Sequence, residues 1–259
     1  MTTRFFACTA ASAITALLCA VSTQFIVAAV AAAPCSEDPT LKVNKAVVLS
    51  ALDGIFNQRD PTAVDRYIGK TYLQHNPGVA DGPEQLKNFI PLLPNGTNYE
   101  VGTQAAEGEL VWCHSRSGGV GAGAGIVVDV FRVVNGKMVE HWDIGQDEVP
   151  ANQTPSRQPM FPITSSSPVP IVKQGCGDVG AIACAFKESL KANKALTAAA
   201  LDAFFNKKDA SAVDKYIGAE YLQHNPFAKD SPQQLKSLIG SLPATVTFEL
   251  GAQVASDDL

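Results

Sequence analysis

Val43, Val47, Val48, Leu52, Ile55 and Phe56 recur at helical spacing, so the first regular element is an amphipathic helix. Asp60-Pro61 has the form of an N-cap followed by proline at the first helical position, and it opens a short helix through Val64 and Tyr67 to Ile68. Residues 72–82 contain His75-Asn76-Pro77-Gly78 and read as a loop. Pro83 starts a third helix carrying Leu86, Phe89 and Ile90, and Pro91 and Pro94 end it. Beyond Pro94 the period shortens. Residues 99–106, 109–116, 126–134 and 137–146 suit strands, and the last two flank Asn135-Gly136, a strong hairpin signal. Three helices followed by an antiparallel meander make an α+β layout rather than a parallel α/β one. A curved antiparallel sheet folded over its helices forms a cone, and the mouth of such a cone is a usual place for a small-molecule site.

The pattern then repeats. Residues 44–94 align without a gap on residues 193–243 at an offset of 149, with 29 of 51 positions identical. Both segments contain YIG followed by YLQHNP. The period is far longer than that of a solenoid repeat, so the chain carries a duplicated domain rather than a stacked array. The second copy is cut short: Leu259 aligns with Leu110, and residues 111–149 have no counterpart. The chemistry is therefore expected in the first copy. Pro150, Pro155, Pro159, Pro162, Pro168 and Pro170, beside Ser165, Ser166 and Ser167, make the connecting stretch a linker by composition. The expected organisation is an address segment over 1–33, a domain over 41–150, a linker over 151–175 and a truncated second copy over 176–259.

The address segment changes how the rest is read. No charge falls between Arg4 and Glu37, and a basic residue, an apolar run and small residues up to Ala33 make a secretory signal cleaved among residues 28–33. The run is also long enough for an uncleaved anchor, although Ser12, Thr15, Ser22, Thr23 and Gln24 interrupt it; no stable membrane span is expected. Export would leave Cys35, Cys113, Cys176 and Cys184 in an oxidising compartment, where four cysteines allow three disulfide pairings. Asn95-Gly96-Thr97 and Asn152-Gln153-Thr154 are glycosylation acceptors that fit the same destination. The chain of 259 residues has 46% hydrophobic and 17% charged residues, enough apolar material for a packed core. Its net charge of −5 and lack of a basic run argue against a nucleic-acid partner.

The run VVDVFRVVNGKMVEHWDIGQ (127–146), with YLQHNP upstream, resembles the SnoaL-like polyketide cyclase family of the nuclear transport factor 2-like superfamily. The resemblance covers about residues 41–150, and its first half recurs over 190–255. It implies a cone-shaped fold and, since sheet-to-sheet pairing is common in the superfamily, a homodimer. It does not fix a reaction, because the same cone hosts cyclases, isomerases, dehydratases, epoxide hydrolases and plain binding modules.

The register of the last hairpin decides which residues meet. A glycine bulge at Asn135-Gly136 places Val133 opposite Lys137 and sets Asp129, Phe131, Val139, His141 and Asp143 on one face, with Arg132, Glu140 and Trp142 on the other. A plain two-residue turn shifts the pairing by one and sends His141 and Asp143 to the face opposite Asp129. The bulge is preferred because it brings Arg132 and Glu140 together as an ion pair. Two carboxylates and an imidazole then project into an apolar cone, where burial and like charge make a carboxylate a usable base. Asp143, Asp129, His141 and His114 are the catalytic candidates, and His75, Trp142 and Phe131 the candidate substrate contacts. Asp143 or Asp129 would take a proton from carbon next to a carbonyl, and His114 or His141 would hydrogen-bond the enolate oxygen. The resemblance points the reaction toward intramolecular aldol ring closure of a small hydrophobic carbonyl compound. No cofactor is expected, because the substrate's own carbonyl stabilises the carbanion. No metal is expected either, since His75, His114 and His141 lack a short ligand spacing. The rival reading is a non-catalytic binding module for a hydrophobic ligand or a protein partner. Gly118 to Gly125 is a glycine-rich hairpin loop, because a strand follows it where a dinucleotide site needs a helix.

Overall fold

Helix α1 (Pro39–Leu52) begins at Asp38, whose carboxylate accepts the Thr40 N–H at 2.8 Å. It runs into a π-helical turn, Asp53–Asn57. Gly54 in that turn meets Ala63, and a Cβ at position 54 would lie 2.6 Å from the Ala63 side chain, so only hydrogen fits there. Asp60 accepts the Thr62 backbone N–H at 2.9 Å and the Thr62 hydroxyl at 2.6 Å, fixing the start of α2 (Thr62–Tyr67). Helix α3 (Pro83–Phe89) passes into a 3₁₀ turn, Ile90–Leu92, before Pro94. The described residues of this computed structural model are 38–119, 124–161 and 179–256, with the side chains of 179–188 excepted. The expected address segment, Cys35 and Cys176 lie outside them, as does the side chain of Cys184. Among the described residues no helix is long and apolar enough to cross a membrane.

Five strands form one sheet in the order β1-β5-β4-β3-β2. They are β1 (Ile68–Gln74), β2 (Asn98–Glu107), β3 (Leu110–Gly118), β4 (Gly125–Val134) and β5 (Lys137–Asp147). The four expected strands are the last four. The sheet is not purely antiparallel, however: β1 pairs parallel with β5, through Ile68 with Met138 and Gln74 with His141. Residues 68–74 read as the end of a helix and a loop because their ladder partner lies some seventy residues away, beyond the reach of a local pattern.

The last hairpin departs from both expected registers. Asn135 and Gly136 have φ of 50° and 72°, a two-residue turn with Val134 opposite Lys137 and Val133 opposite Met138. The extra residue is Val139, which breaks the register between Arg132 and Val133. Met138 is buried, so strict alternation from it would send Glu140 and Trp142 inward. The bulge reverses the phase: Met138 takes the core position expected of Val139, and His141 and Asp143 turn in beside Phe131 and Asp129, which they face directly across the ladder.

The core lies between α1 and the sheet, with Val48, Ala51, Leu52 and Ile55 packed against Val111, Cys113, Phe131, Val133 and Met138. Tyr72, Leu86, Ile90 and Tyr99 close it at the side.

Residues 179–256 are mostly helical: α4 (Val179–Leu201), α5 (Val213–Tyr216) and α6 (Pro232–Ser241) surround a smaller core of Ala203, Phe204, Val213, Leu235 and Ile239. Several local conformations recur 149 positions on. A π-helical turn spans Asp202–Asn206, and Lys208 repeats the positive φ of Arg59 at 55° against 53°. Asn57 exchanges hydrogen bonds with the Tyr99 backbone, and Asn206 does the same with Phe248. Residues 217–223 do not form a strand, and among the described residues no strand pairs with them. This part meets the sheet through Lys194 with Glu107 at 2.5 Å and through the Ala255 N–H, which donates to Glu107 at 3.1 Å. The connector is held by His224 Nδ1, 2.6 Å from Pro159 O, and by Gln158 donating to Asp230.

Candidate functional site

The inward face of β4 and β5 carries a buried polar group. Asp129 is 4% exposed and His141 9% exposed. His141 Nε2 lies 3.0 Å from Asp129 Oδ1, and His141 Nδ1 lies 2.8 Å from Gln74 Oε1. The other Asp129 oxygen accepts the Tyr99 hydroxyl. Phe131 stacks on the imidazole with centroids 4.6 Å apart and fixes the plane of the ring. Asp143 is half-buried, and its Oδ2 accepts from Asn76 Nδ2 at 2.6 Å. Ligating atoms of Asp129, His141 and Asp143 lie within 4.8 Å of one another. Among the described residues, these three are the group that could hold a divalent ion, although His141 Nε2 and Asp129 Oδ1 already face each other.

Charge in this group acts on its neighbours. Burial, then the Asp129 and Asp143 carboxylates, push the Tyr72 hydroxyl far above its ordinary pKa. Burial and Asp129 do the same to Tyr99, which therefore remains an O–H donor. Cys113 sits directly across the ladder from Asp129, and burial pushes its thiol up to about 12. It is a free, fully buried thiol, with Gln104 Nε2 3.4 Å from its sulfur. Cys113 therefore takes no part in the disulfide framework expected of four exported cysteines.

The expected residues divide between the two faces of the sheet. Asp129, His141 and Asp143 come together. His114 does not join them: its neighbour Cys113 shares the Asp129 face, so His114 points the other way, stacked on Trp112 and Phe161. Trp142 and His75 also lie on the outward face, stacked parallel at 4.8 Å, and so do not line the inner site. His75 Nε2 bonds Glu140 at 3.0 Å, and Glu140 bonds Arg132 at 2.8 Å. Phe131 is on the inner face but 2% exposed, a wall behind the imidazole rather than a surface open to a ligand. Both nitrogens of His141 face protein atoms, so the ring has no uncommitted N–H for a substrate oxygen.

The apolar interior near these groups is packed by Phe56, Tyr72, Tyr99 and Phe131. Open space lies further along these strands: a cleft of about 210 Å³ lined by Ser117, Gly125, Ile126, Val127, Gly145, Gln146 and Asp147. Val127 and Gly145, which line the cleft, form the next inward pair after Asp129 and Asp143.

Gln74, Asn76 and Tyr99 were not among the expected site residues. For the first two a signal was present: alternation through Gln74-His75-Asn76 at a strand end puts the outer two on the face opposite the middle one. Of the expected glycosylation acceptors, Asn95 lies in an exposed turn and Asn152 in an exposed 3₁₀ turn.

Residues 48–141 match the SnoaL-like domain family, over a little more than a third of the chain. The match lies within the α+β part of the chain, from α1 into β5 of the five-stranded sheet. Among solved structures it is similar to TsrD from Streptomyces laurentii, at 17% identity and a TM-score of 0.36, over 43% of this chain and 92% of the other. It is similar to a nuclear transport factor 2-like protein of unknown function from Cytophaga hutchinsonii, at 15% identity and a TM-score of 0.36, over 40% and 88%. It is also similar to an epoxide hydrolase from M. tuberculosis, at 18% identity and a TM-score of 0.37, over 42% and 86%. Comparison with curated proteins finds no match.

Proposed function

We propose that the domain over residues 41–150 is a cofactor-independent acid/base enzyme of the aldol cyclase or isomerase type, acting on a small hydrophobic carbonyl compound. The observation that carries this reading is the position of Asp143. It is half-buried, oriented by Asn76, within 4.8 Å of the Asp129–His141 pair, and one inward position along β5 from Gly145, which lines the cleft. Asp143 takes a proton from the carbon next to the carbonyl; the electron pair of the broken C–H bond forms the enolate C=C bond, and the carbonyl π pair moves onto oxygen. Asn76 Nδ2 carries a second hydrogen beside the one it gives Asp143, and that hydrogen meets the enolate oxygen as charge develops. The Asp129–His141 pair sits behind the base. Proton return to carbon, or attack of that carbon on a second carbonyl, completes isomerisation or ring closure.

Exchange of α-hydrogens in D₂O, followed by NMR over a panel of small aryl ketones and 1,3-diketones, tests the reading. The parent protein should accelerate exchange, and Asp143→Asn should lower the rate by about 10²-fold or more. Equal rates in parent and variant would overturn the assignment of Asp143.

One observation favours the rival reading of a non-catalytic binding module. The cleft is smaller than the roughly 300–1,000 Å³ usual for ligand pockets, and aromatic side chains fill the interior. A protein that binds members of the panel without accelerating exchange is such a module.

Three further proposals concern the chain as a whole. Secretion is supported by the uncharged stretch between Arg4 and Glu37 and by the exposure of Asn95 and Asn152. A partial second copy of the domain over 176–259 is supported by the 29 identities and by the recurring turns. The homodimer rests on the family resemblance.

A further inference from the structure

We infer that Gln74 is a positioning residue that keeps a hydrogen on Nδ1 of His141. A backbone N–H can only donate, so the Gln74 atom 3.0 Å from Asn76 N is the carbonyl oxygen Oε1. The same oxygen lies 2.8 Å from His141 Nδ1. An amide oxygen accepts on both of its lone pairs and donates on neither, so the hydrogen of that contact belongs to the ring. His141 Nε2 faces Asp129 Oδ1, while Asp129 Oδ2 takes the Tyr99 hydroxyl. One proton is then left to be shared between Nε2 and Oδ1, in a buried place beside Asp143.

The loop orients this amide by itself. At the corresponding turn 149 residues on, Gln223 Oε1 accepts the Asn225 N–H at 3.0 Å. The Gln223 N–H donates to Asp230 at 2.6 Å, as the Gln74 N–H donates to Asp81 at 2.7 Å. In both turns the intervening histidine ring goes elsewhere, His75 to Glu140 and His224 to Pro159 O. The amide thus takes the same orientation where no His141 is present to ask for it. In the first turn, its second lone pair falls on the β5 imidazole. Gln74 therefore acts through His141, and its effect on rate rests on the acid/base reading above. The position of the hydrogen does not.

The test uses the full chain with ¹⁵N-labelled histidine and long-range ¹H–¹⁵N spectra near neutral pH. His141 is assigned by elimination with His75→Gln, His114→Gln and His224→Gln. Nδ1 should carry a hydrogen in the parent and in Gln74→Glu, which still presents an acceptor. In Gln74→Met, near-isosteric but without an acceptor, the ring should revert to the form protonated on Nε2 alone. Gln223→Met should leave the His141 pattern unchanged. A parent Nδ1 without hydrogen, or a Gln74→Met spectrum like the parent's, overturns the inference; Gln74→Leu gives the same reading if Gln74→Met does not fold. In the exchange assay Gln74→Met should lower kcat roughly tenfold or more with KM unchanged, and Gln74→Glu should retain the rate. The expected spectra with no exchange activity would sink the enzyme reading alone, and the reverse result this inference alone.

Discussion

Tyr99 decides how the Asp129 carboxylate is held. Its ring is clamped by Phe56, stacked at 4.7 Å, and its hydroxyl reaches a carboxylate that is almost wholly buried. Burial first, and Asp129 second, keep that hydroxyl protonated. Tyr99→Phe preserves the stack and removes only the donor. A buried acceptor that loses a partner costs about 1–3 kcal/mol, so the urea midpoint of Tyr99→Phe should fall accordingly, with an unchanged denaturant slope. A midpoint equal to the parent's would mean that the hydroxyl does not support Asp129. Neighbouring residues in sequence behave oppositely: Cys113 faces Asp129, while His114 faces Phe161. A list of reactive side chains cannot make that distinction without knowing which face of β3 is inside.

At the scale of elements, the single extra residue Val139 puts chemistry inside the sheet. Its Cγ1 would lie 2.9 Å from a Cβ at position 69, so Gly69 on β1 leaves room for the bulge. Gly69→Val should strain this contact and destabilise the fold by about 1–3 kcal/mol, read as a lower midpoint of thermal or urea unfolding. Equal stability would show that the bulge yields without cost. The long periodic elements were legible in the chain, down to the Asn135-Gly136 hairpin, because their patterns are local. The grouping of Asp129, His141 and Asp143 was legible too, but for a different reason than the one operating: the turn is a tight pair, and the phase change comes three residues later. Strand β1 was hidden because its partner is remote and its burial is sparse, with Ile68 and Tyr72 inward and exposed residues between. The alternation of Gln74 and Asn76 with His75 assigns a face only once the segment is known to be a strand. Nothing in a run of YLQHNP states that a strand carrying a histidine will lie alongside.

At the scale of the whole molecule, the sheet's outward face binds the connector, and a histidine sits in that contact. Burial, with the charge of His224 adding to it, lowers the pKa of His114 below its ordinary value of 6.5. The unfolded chain therefore takes up a proton at this position more readily than the folded one. The resulting contribution to stability is fully present above 6.5 and is lost as pH falls through the lowered value. Urea midpoints should fall between pH 7.5 and 5.5 in the parent and fall less in His114→Gln; parallel curves would show that His114 has no part in the dependence. The parallel pairing of β1 with β5 has a consequence for how the molecule comes into being. Gln74 and Asn76 are made early in translation, and the strand that receives them emerges some sixty residues later, after three antiparallel neighbours that assemble through short loops. Closure of that long loop is the step that unites the two halves of the site, so a nascent or partly opened chain retains its helices and hairpins, with Asp129 facing Asp143, while lacking the amides that orient His141 and Asp143. Amide hydrogen exchange would register that order as earlier loss of protection in β1 than in β3 and β4.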